Sequence, residues 1–203
     1  MKNDTLLLLV MSQNVNPNHT QPVIHGEERI QQYIDGIEKL FEYDFKNKAD
    51  VLVCDNTTKK LDKRIIRALP WDTEYYTYEN NLGTQSKSIG LYHQWKHCID
   101  TISKYEWVIH FEPRQLLKNH LFFDSYFSNK QNLVNFRGNL GAIWTGLFSM
   151  KTNLLSKFLK ESPVTGAESI EYILFRFIKQ YECQHEELNL LWNEVANNRW
   201  IDI

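Results

Sequence analysis

The stretch Thr5-Leu6-Leu7-Leu8-Leu9-Val10-Met11, residues 5–11, decides how the rest of the chain is interpreted. Its apolar run, residues 6–11, is six residues long and uninterrupted, which is the pattern of a strand covered on both faces. Six residues are fewer than the roughly 7–15 of a secretory core and far fewer than the roughly 20 that span a bilayer. We therefore expect a buried first strand, with neither a secretory signal nor a membrane span.

Downstream of this strand, helical periodicity alternates with short apolar runs. Helices are predicted at residues 27–41, 61–69, 86–103, about 115–127, 151–159 and 168–181, and strands at residues 51–54, 74–78, 106–111, 132–136 and 142–150. The tail from Leu188 is expected to form either a last strand pair or a docking arm. The first half thus has the order β-α-β-α-β-α-β, which implies right-handed crossovers and a parallel sheet.

Composition limits the class of protein. The chain has 203 residues, of which 42% are hydrophobic and 24% are charged, as in an average globular domain. No stretch resembles a linker, so residues 1–203 are expected to form a single domain. The net charge of -2 comes without a basic stripe, which argues against a nucleic-acid partner. Three cysteines at wide spacings do not suggest a disulfide framework and favour a reducing, cytoplasmic location.

Polar side chains follow each of the first four predicted strands. They are Ser12-Gln13-Asn14, Asp55-Asn56-Thr57, Asn80-Asn81 and Glu112-Pro113-Arg114. Ligands of an open parallel sheet bind beyond the carboxyl ends of its strands, so this edge is the expected binding site. The sequence contains no P-loop, no G-x-G-x-x-G after the first strand and no G-x-S-x-G elbow. Their absence argues against a P-loop ATPase, a dinucleotide-binding fold and an α/β-hydrolase.

Four stretches resemble a known family. Asn80-Asn81-Leu82-Gly83-Thr84-Gln85-Ser86-Lys87-Ser88-Ile89-Gly90 is similar to the N-x-G-x-x-x-K-G/S stretch of small bacterial and viral sugar transferases. Residues 107–114 resemble their buried strand that leads to the diphosphate site. Residues 144–152 resemble the step that walls the sugar pocket, and residues 168–171 resemble the acidic helix start that faces the acceptor. With the order of elements, residues 6–178 therefore resemble the nucleotide-sugar glycosyltransferases of the GT-A fold.

This resemblance implies both a fold and a function. The fold would be α/β, a GT-A-like three-layer sandwich with a mostly parallel central sheet. The function would be to move a sugar from a nucleotide-diphosphate donor to a glycan or lipid-linked acceptor in surface polysaccharide or glycoconjugate biosynthesis. The partners would be the sugar nucleotide and the acceptor, and peripheral association with a membrane is compatible with that role.

The resemblance also implies roles for individual residues. The residues expected to bind the donor are Ser12, Asp55, Asn80, Asn81, Lys87, Arg114, Trp144 and Gly146. Asp55 would hydrogen-bond the nucleobase or ribose, while Lys87 and Arg114 would meet the phosphates. Glu168 or Glu171 would be the catalytic base, and we expect Glu168 because it lies at the mouth of its predicted helix.

The chain departs from the family at the metal motif. That motif is Asp-x-Asp at the end of the fourth strand, and this sequence contains none. The nearest equivalent is His110-Phe111-Glu112, in which Glu112 would bind Mn²⁺ or Mg²⁺, or the sugar hydroxyls if no metal is used. An alternative function is therefore a catalytically degenerate GT-A-like domain that binds a sugar nucleotide or a protein partner without turnover. A flavodoxin-like regulator also alternates strands and helices, but the two late strands fit it poorly.

Each candidate residue also has a purely structural interpretation. Asp55 is a common turn or helix-cap residue, and acids at a helix start stabilise its dipole. Lys87 could instead be a solvated surface lysine, and Glu112 and Arg114 could form a surface pair that flanks the turn proline Pro113. His93 and His97 have the spacing of a helical metal pair but lie off the buried stripe, so we expect a solvated face, and we expect His185 at the surface.

Overall fold

The first strand lies inside the sheet, as its sequence predicts. The computed structural model describes residues 3–16, 24–194 and 199–202 of the 203-residue chain. β1 (Thr5–Met11) is buried over its whole length. It pairs in parallel with β2 (Asp50–Asp55) on one side and with β4 (Trp107–Phe111) on the other. Its apolar run is therefore explained by burial on both faces.

A seven-stranded sheet organises the described part of the chain. Besides β1, β2 and β4, this sheet contains β3 (Glu74–Thr77), β6 (Leu133–Phe136), β7 (Ile143–Lys151) and β8 (Gln184–His185). A second, three-stranded sheet contains β5 (Leu116–Leu117), β9 (Leu190–Glu194) and β10 (Arg199–Asp202). The helices are α1 (Gly26–Leu40), α2 (Lys63–Ala68), α3 (Lys87–Ile102), α4 (Leu121–Ser128), α5 (Thr152–Glu161) and α6 (Ile170–Ile178). The strand order is β3-β2-β1-β4-β7-β6-β8. Only the two pairings of β7 are antiparallel, which confirms the mostly parallel sheet.

Two hydrophobic cores lie on opposite faces of this sheet, so the fold has three layers. Leu7, Leu9 and Met11 of β1 pack with residues of α1, α2 and α4. The alternating residues Leu6, Leu8 and Val10 pack with residues of α3, α5 and α6. Because successive side chains of a strand point to opposite faces, one apolar strand serves both cores.

The helix predicted at about residues 115–127 begins later than expected. Leu116 and Leu117 instead form β5, which pairs antiparallel with Leu191 and Leu190 of β9. The helix α4 starts only at Leu121. The two leucines fit the helical period of the sequence that follows, but their partners lie far along the chain. A local pattern could not distinguish the two structures.

The tail forms a strand pair, which was one of its two predicted structures. β9 and β10 are antiparallel, and β9 joins them to β5 in a three-stranded sheet. A backbone hydrogen bond of 2.8 Å from the Lys118 nitrogen to the Asn189 oxygen extends this connection. The tail is therefore attached to the segment that directly follows β4.

The last long helix also begins later than predicted. Ser169 is the residue before α6 and has an extended backbone, so Glu168 lies outside the helix and Glu171 within its first turn. The prediction that this helix begins at Glu168 was therefore wrong. Across the described residues, none of the helices has the length and apolar character that crossing a membrane requires.

Candidate active site

A cleft lies at the carboxyl ends of the central strands, where the sequence predicts a binding site. It has a volume of about 220 Å³ and opens between the end of β1, the start of α3 and the segment after β4. Eight of the eleven residues singled out from the sequence line it. They are Ser12, Asn81, Lys87, Glu112, Arg114, Trp144, Gly146 and Glu171.

Asp55 does not line the cleft. Its side chain is fully buried, and its carboxylate accepts hydrogen bonds of 2.7 Å from the backbone nitrogen of Gln13 and from the nitrogen and hydroxyl of Thr57. Burial raises the pKa of Asp55, and these donors oppose that rise. Asp55 therefore ties the loop after β1 to the turn after β2, which matches its structural interpretation. A contact with the nucleobase stays a prediction.

Asn80 and Glu168 also lie outside the cleft lining. Asn80 is exposed, and its side-chain oxygen accepts a hydrogen bond of 3.2 Å from the Leu82 nitrogen. Glu168 is exposed and forms an ion pair with Arg176, with 2.6 Å between Arg176 Nη2 and Glu168 Oε2. This ion pair lowers the pKa of Glu168. Between the two acids proposed as the base, the structure therefore favours Glu171.

Three cations converge in the cleft. Burial lowers the pKa of the Arg29 guanidinium to about 10, with a further contribution from nearby Arg114. Desolvation by the surrounding protein lowers the pKa of the Lys87 amine, although the side chain is still accessible to solvent. The charges of Arg114 and Arg29 lower this pKa further. Because each cation disfavours the others, the site is suited to a ligand with two or more negative charges.

Arg29 was missed by the sequence analysis. It is only 4% exposed, and its guanidinium donates to the Ser12 oxygen and, over 3.1 Å, to the Ile24 oxygen. Tyr33, one turn later on α1, accepts a hydrogen bond of 2.7 Å from the Ser12 nitrogen. The sequence did contain a signal that could have identified Arg29: a charged residue stands four positions before Tyr33, on the buried stripe of an amphipathic helix.

Two carboxylates face the cations. Burial raises the pKa of Glu171, and the nearby charge of Glu112 raises it further, while Arg137 and Lys87 oppose the rise. The Ser169 hydroxyl donates to the Glu171 carboxylate. Glu112 is held at the end of β4 by a 2.8 Å hydrogen bond from its nitrogen to the Gly146 oxygen. An acid with a raised pKa is a better proton acceptor when ionised than an ordinary surface glutamate.

Close packing at glycines fixes the cleft walls. A β-carbon on Gly90 would lie 2.8 Å from the Gly83 Cα, so the two glycines let the short 3₁₀ turn at Leu82–Thr84 lie against α3 beside Lys87. A β-carbon on Gly146 would lie 1.9 Å from Gln115 Nε2, so the Gln115 side chain covers this backbone on the cleft wall. In both cases a glycine allows another part of the cleft wall to approach its backbone closely.

The donors of the cleft fit a divalent cation only in part. The described residues contain no group of three or more His, Cys, Asp or Glu side chains that would hold a metal. Glu112 supplies a carboxylate, and Mg²⁺ needs only one or two when substrate phosphates complete its shell. Glu112 would therefore hold the ion together with the substrate phosphates, which leaves Glu171 free to accept a proton. The role of Glu112 as a metal ligand stays a prediction.

Three of the described histidines make packing or hydrogen-bond contacts with neighbouring residues. His97 packs against Tyr78 with 3.8 Å between ring centroids. His185 Nδ1 accepts a hydrogen bond of 3.1 Å from the Phe136 nitrogen. His110 is fully buried and accepts a 3.1 Å hydrogen bond from the Trp95 indole. Each of these three contacts is structural.

Solved structures resemble this chain over most of its length. One is a protein assigned as a nucleotide-diphospho-sugar transferase from Desulfovibrio desulfuricans G20, with a TM-score of 0.56 and 11% identity over 91% of this chain and 80% of that one. A second is a cytidylyltransferase from Leptospira borgpetersenii serovar Hardjo-bovis, with a TM-score of 0.55 and 12% identity over 99% of this chain and 82% of that one.

A third solved structure has the same fold. It is a 4-diphosphocytidyl-2C-methyl-D-erythritol synthase, with a TM-score of 0.52 and 11% identity over 93% of this chain and 92% of that one. No protein-family model and no curated protein matches the sequence. At 11–12% sequence identity, the similarity to these three proteins is evidence for the fold alone. The described chain therefore has the GT-A-like fold of the nucleotide-diphospho-sugar transferases, as the sequence resemblance implies.

Proposed function

We propose that this protein is a glycosyltransferase that uses a nucleotide-diphosphate sugar. The observation that carries the proposal is the arrangement of the cleft, in which three cations adjoin a carboxylate of raised pKa. Sugar transfer requires both groups, since a diphosphate leaves as an acceptor hydroxyl loses its proton. The fold relatives include a protein assigned to nucleotide-diphospho-sugar transfer, which supports the donor class.

The proposed reaction assigns one task to each group. The acceptor oxygen forms a bond to the anomeric carbon while the bond from that carbon to the diphosphate breaks. Glu171 takes the proton of the acceptor hydroxyl. Arg29, Lys87 and Arg114 stabilise the negative charge that develops on the departing nucleoside diphosphate, as preorganised donors do in a partly desolvated site. This scheme corresponds to direct transfer with inversion.

A divalent ion held by Glu112 would, when bound, neutralise part of the diphosphate charge. Ser12, Asn81, Trp144 and Gly146 would shape the donor pocket around the ribose and the sugar. Asp55 would contribute indirectly, by fixing the loop that carries Ser12. The acceptor is proposed to be a glycan or lipid-linked sugar, and the three free cysteines are compatible with a cytoplasmic location.

Nucleotidyl transfer is the second candidate, because one fold relative is a cytidylyltransferase. The cations would serve either reaction. Glu171 favours glycosyl transfer, since a phosphate nucleophile is already ionised and needs no base, whereas a hydroxyl does. A third outcome is a domain that binds a sugar nucleotide or a protein partner without turnover.

The test combines binding with product formation. Thermal unfolding is followed with UDP, GDP, CMP, dTDP, CTP and the common nucleotide sugars, with and without Mn²⁺. A ligand that binds only the folded state raises the midpoint, by about 2.7 kcal/mol of stabilisation at a hundred times its dissociation constant. A shift with a nucleotide sugar, followed by release of its nucleoside diphosphate, supports the proposal. Pyrophosphate release from CTP identifies a nucleotidyltransferase, and a shift without product identifies a binding domain.

A further inference from the structure

An exposed surface on α2 and the segments beside it is unusual for this molecule. Of the six large hydrophobic residues exposed in the described chain, Ile66, Trp71 and Tyr75 fall within ten residues, whereas the adjacent Tyr76 packs against His97 of α3 on the opposite side of the sheet. Trp71 is 96% exposed and Ile66 is 38% exposed. Large apolar side chains that cluster at the surface mark a binding site, whereas single ones need no explanation.

Exposed cations lie along α2 and in the segment before it. Lys59, Lys60, Lys63 and Arg67 are all exposed, and none of them makes an ion pair with a residue that the structure describes. Arg64 differs from them, since it pairs with Glu27 at 2.6 Å and with Asp62 at 2.9 Å. We call Lys59, Lys60, Lys63, Ile66, Arg67 and Trp71 the basic–aromatic surface.

We propose that the basic–aromatic surface docks this protein on an anionic phospholipid bilayer. Unpaired lysine and arginine side chains attract anionic headgroups, and tryptophan prefers the level of the headgroups because its ring is both apolar and polar. Charge complementarity decides for this partner, since the whole chain carries a net charge of -2 and yet concentrates four unpaired cations here. The exposed acids Asp72 and Glu74 reduce the local charge, so the association is weak and reversible.

The surface is joined to the rim of the cleft. Thr57 lines the cleft, and Lys59 follows two residues later. The Lys59 oxygen accepts a hydrogen bond of 3.0 Å from the Thr77 hydroxyl, and the Asp62 nitrogen donates over 2.6 Å to the side chain of Gln13 in the loop after β1. Docking would bring a membrane close to the cleft rim. The benefit for a lipid-linked acceptor rests on the proposed function, but the docking itself does not.

The experiment is sedimentation of the full chain with vesicles. Vesicles of phosphatidylcholine alone are compared with vesicles of phosphatidylcholine and phosphatidylglycerol, each at low and at high salt. We expect the protein to sediment only with the anionic vesicles, and high salt to release it. Each cation near such a surface contributes about fivefold to the binding constant, so reversing Lys60→Glu and Lys63→Glu together lowers it by more than tenfold.

Matched variants separate this surface from a general effect of charge. The control variant Lys160→Glu/Lys179→Glu changes the net charge by the same amount as Lys60→Glu/Lys63→Glu. Its two positions lie on α5 and at the end of α6, on the opposite side of the sheet from α2. This control should bind the vesicles as the unmodified protein does. Trp71→Ala should lower binding several-fold, and Trp71→Phe should retain most of it. Melting temperatures verify that each variant folds, and sedimentation is measured without any nucleotide, so this test is independent of the proposed function.

Three outcomes would overturn the inference. The first is no sedimentation with anionic vesicles at low salt. The second is equal sedimentation of the Lys60→Glu/Lys63→Glu variant and its matched control. The third is self-association without vesicles that Trp71→Ala abolishes, which would make this surface an interface between two copies of the chain.

Discussion

The carbonyl oxygen of Pro113 lies 1.8 Å from the position that a β-carbon on Gly36 would occupy. Helix α1 therefore touches the backbone of the segment that carries Glu112 and Arg114. This contact brings Arg29, on the first turn of α1, beside Arg114. A single glycine thus sets the distance between two of the three cations in the cleft.

Gly36→Ala should disturb both stability and binding. The added methyl group forces α1 away from Pro113, and overpacking of this kind lowers the free energy of unfolding by about 1–3 kcal/mol. Nucleotide affinity should fall as Arg29 moves away from Arg114. Urea denaturation and the donor-induced thermal shift measure the two effects. Glu38→Ala, an exposed position on the same helix, is the control. A Gly36→Ala protein as stable as this control would contradict the interpretation.

Glu171→Gln should abolish turnover while retaining the donor. Removing a positioned general base lowers the transfer rate by about 10²–10⁴-fold. The amide has nearly the same shape, so the donor-induced thermal shift should persist. Glu168→Gln removes an exposed carboxylate three residues away and should retain the activity. The reverse result, with activity lost only in Glu168→Gln, would restore Glu168 as the base.

The transfer rate should also show an acidic limb set by Glu171. A base must be ionised, and its pKa is raised by burial and by Glu112. Activity should therefore begin to fall at a higher pH than an ordinary glutamate would give. The same rise means that ionised Glu171 destabilises the folded state above its folded pKa, so Glu171→Gln should increase the melting temperature at neutral pH. A decrease would show that Glu171 has a structural role.

Lys87→Met should weaken nucleotide binding without unfolding the protein. Loss of a hydrogen bond from a charged donor costs about 1.5–3 kcal/mol, which is about 10–100-fold in affinity. Without ligand, the variant should be no less stable, because Lys87 is disfavoured by desolvation and by Arg114 and Arg29. Lys96→Met, an exposed lysine of the same helix, is the matched control for calorimetric titration. Equal affinities in the two variants would exclude Lys87 from the donor site.

His110 should make the fold sensitive to acid. Burial lowers its pKa to about 3, well below the 6.5 of the unfolded chain. Between these values the unfolded state binds the extra proton, so the free energy of unfolding falls as the pH falls, by about 1.4 kcal/mol per unit. Urea denaturation at pH values above and below about 6 measures the slope. His110→Gln should reduce that slope, and His97→Gln, on an exposed residue, should not.

The sequence predicts the fold where its signals are local. The uninterrupted run of β1 predicts a strand buried on both faces, and the polar residues after it predict the edge at which the cleft lies. Ser12 and Glu112 could be placed because each directly follows a strand, and Arg114 because it lies two residues after Glu112. Their position needs no knowledge of the rest of the chain.

The remaining features depend on distant contacts. β5 was predicted as part of a helix because its partner, β9, lies far along the chain. Arg29 lies on α1, 17 residues after Ser12, and only tertiary packing brings the two together. The choice between Glu168 and Glu171 depended on where α6 begins, and helix ends are the least certain part of such a prediction.

The attachment of β9 to β5 has a consequence for how this protein is made. β5 continues the segment that carries Glu112 and Arg114, so its pairing with β9 ties that segment to residues synthesised more than seventy positions later. A nascent chain can pair β1, β2, β3 and β4 before β9 exists, but it lacks this attachment until β9 has been synthesised. The competent site should therefore appear only after the parallel strands that carry it.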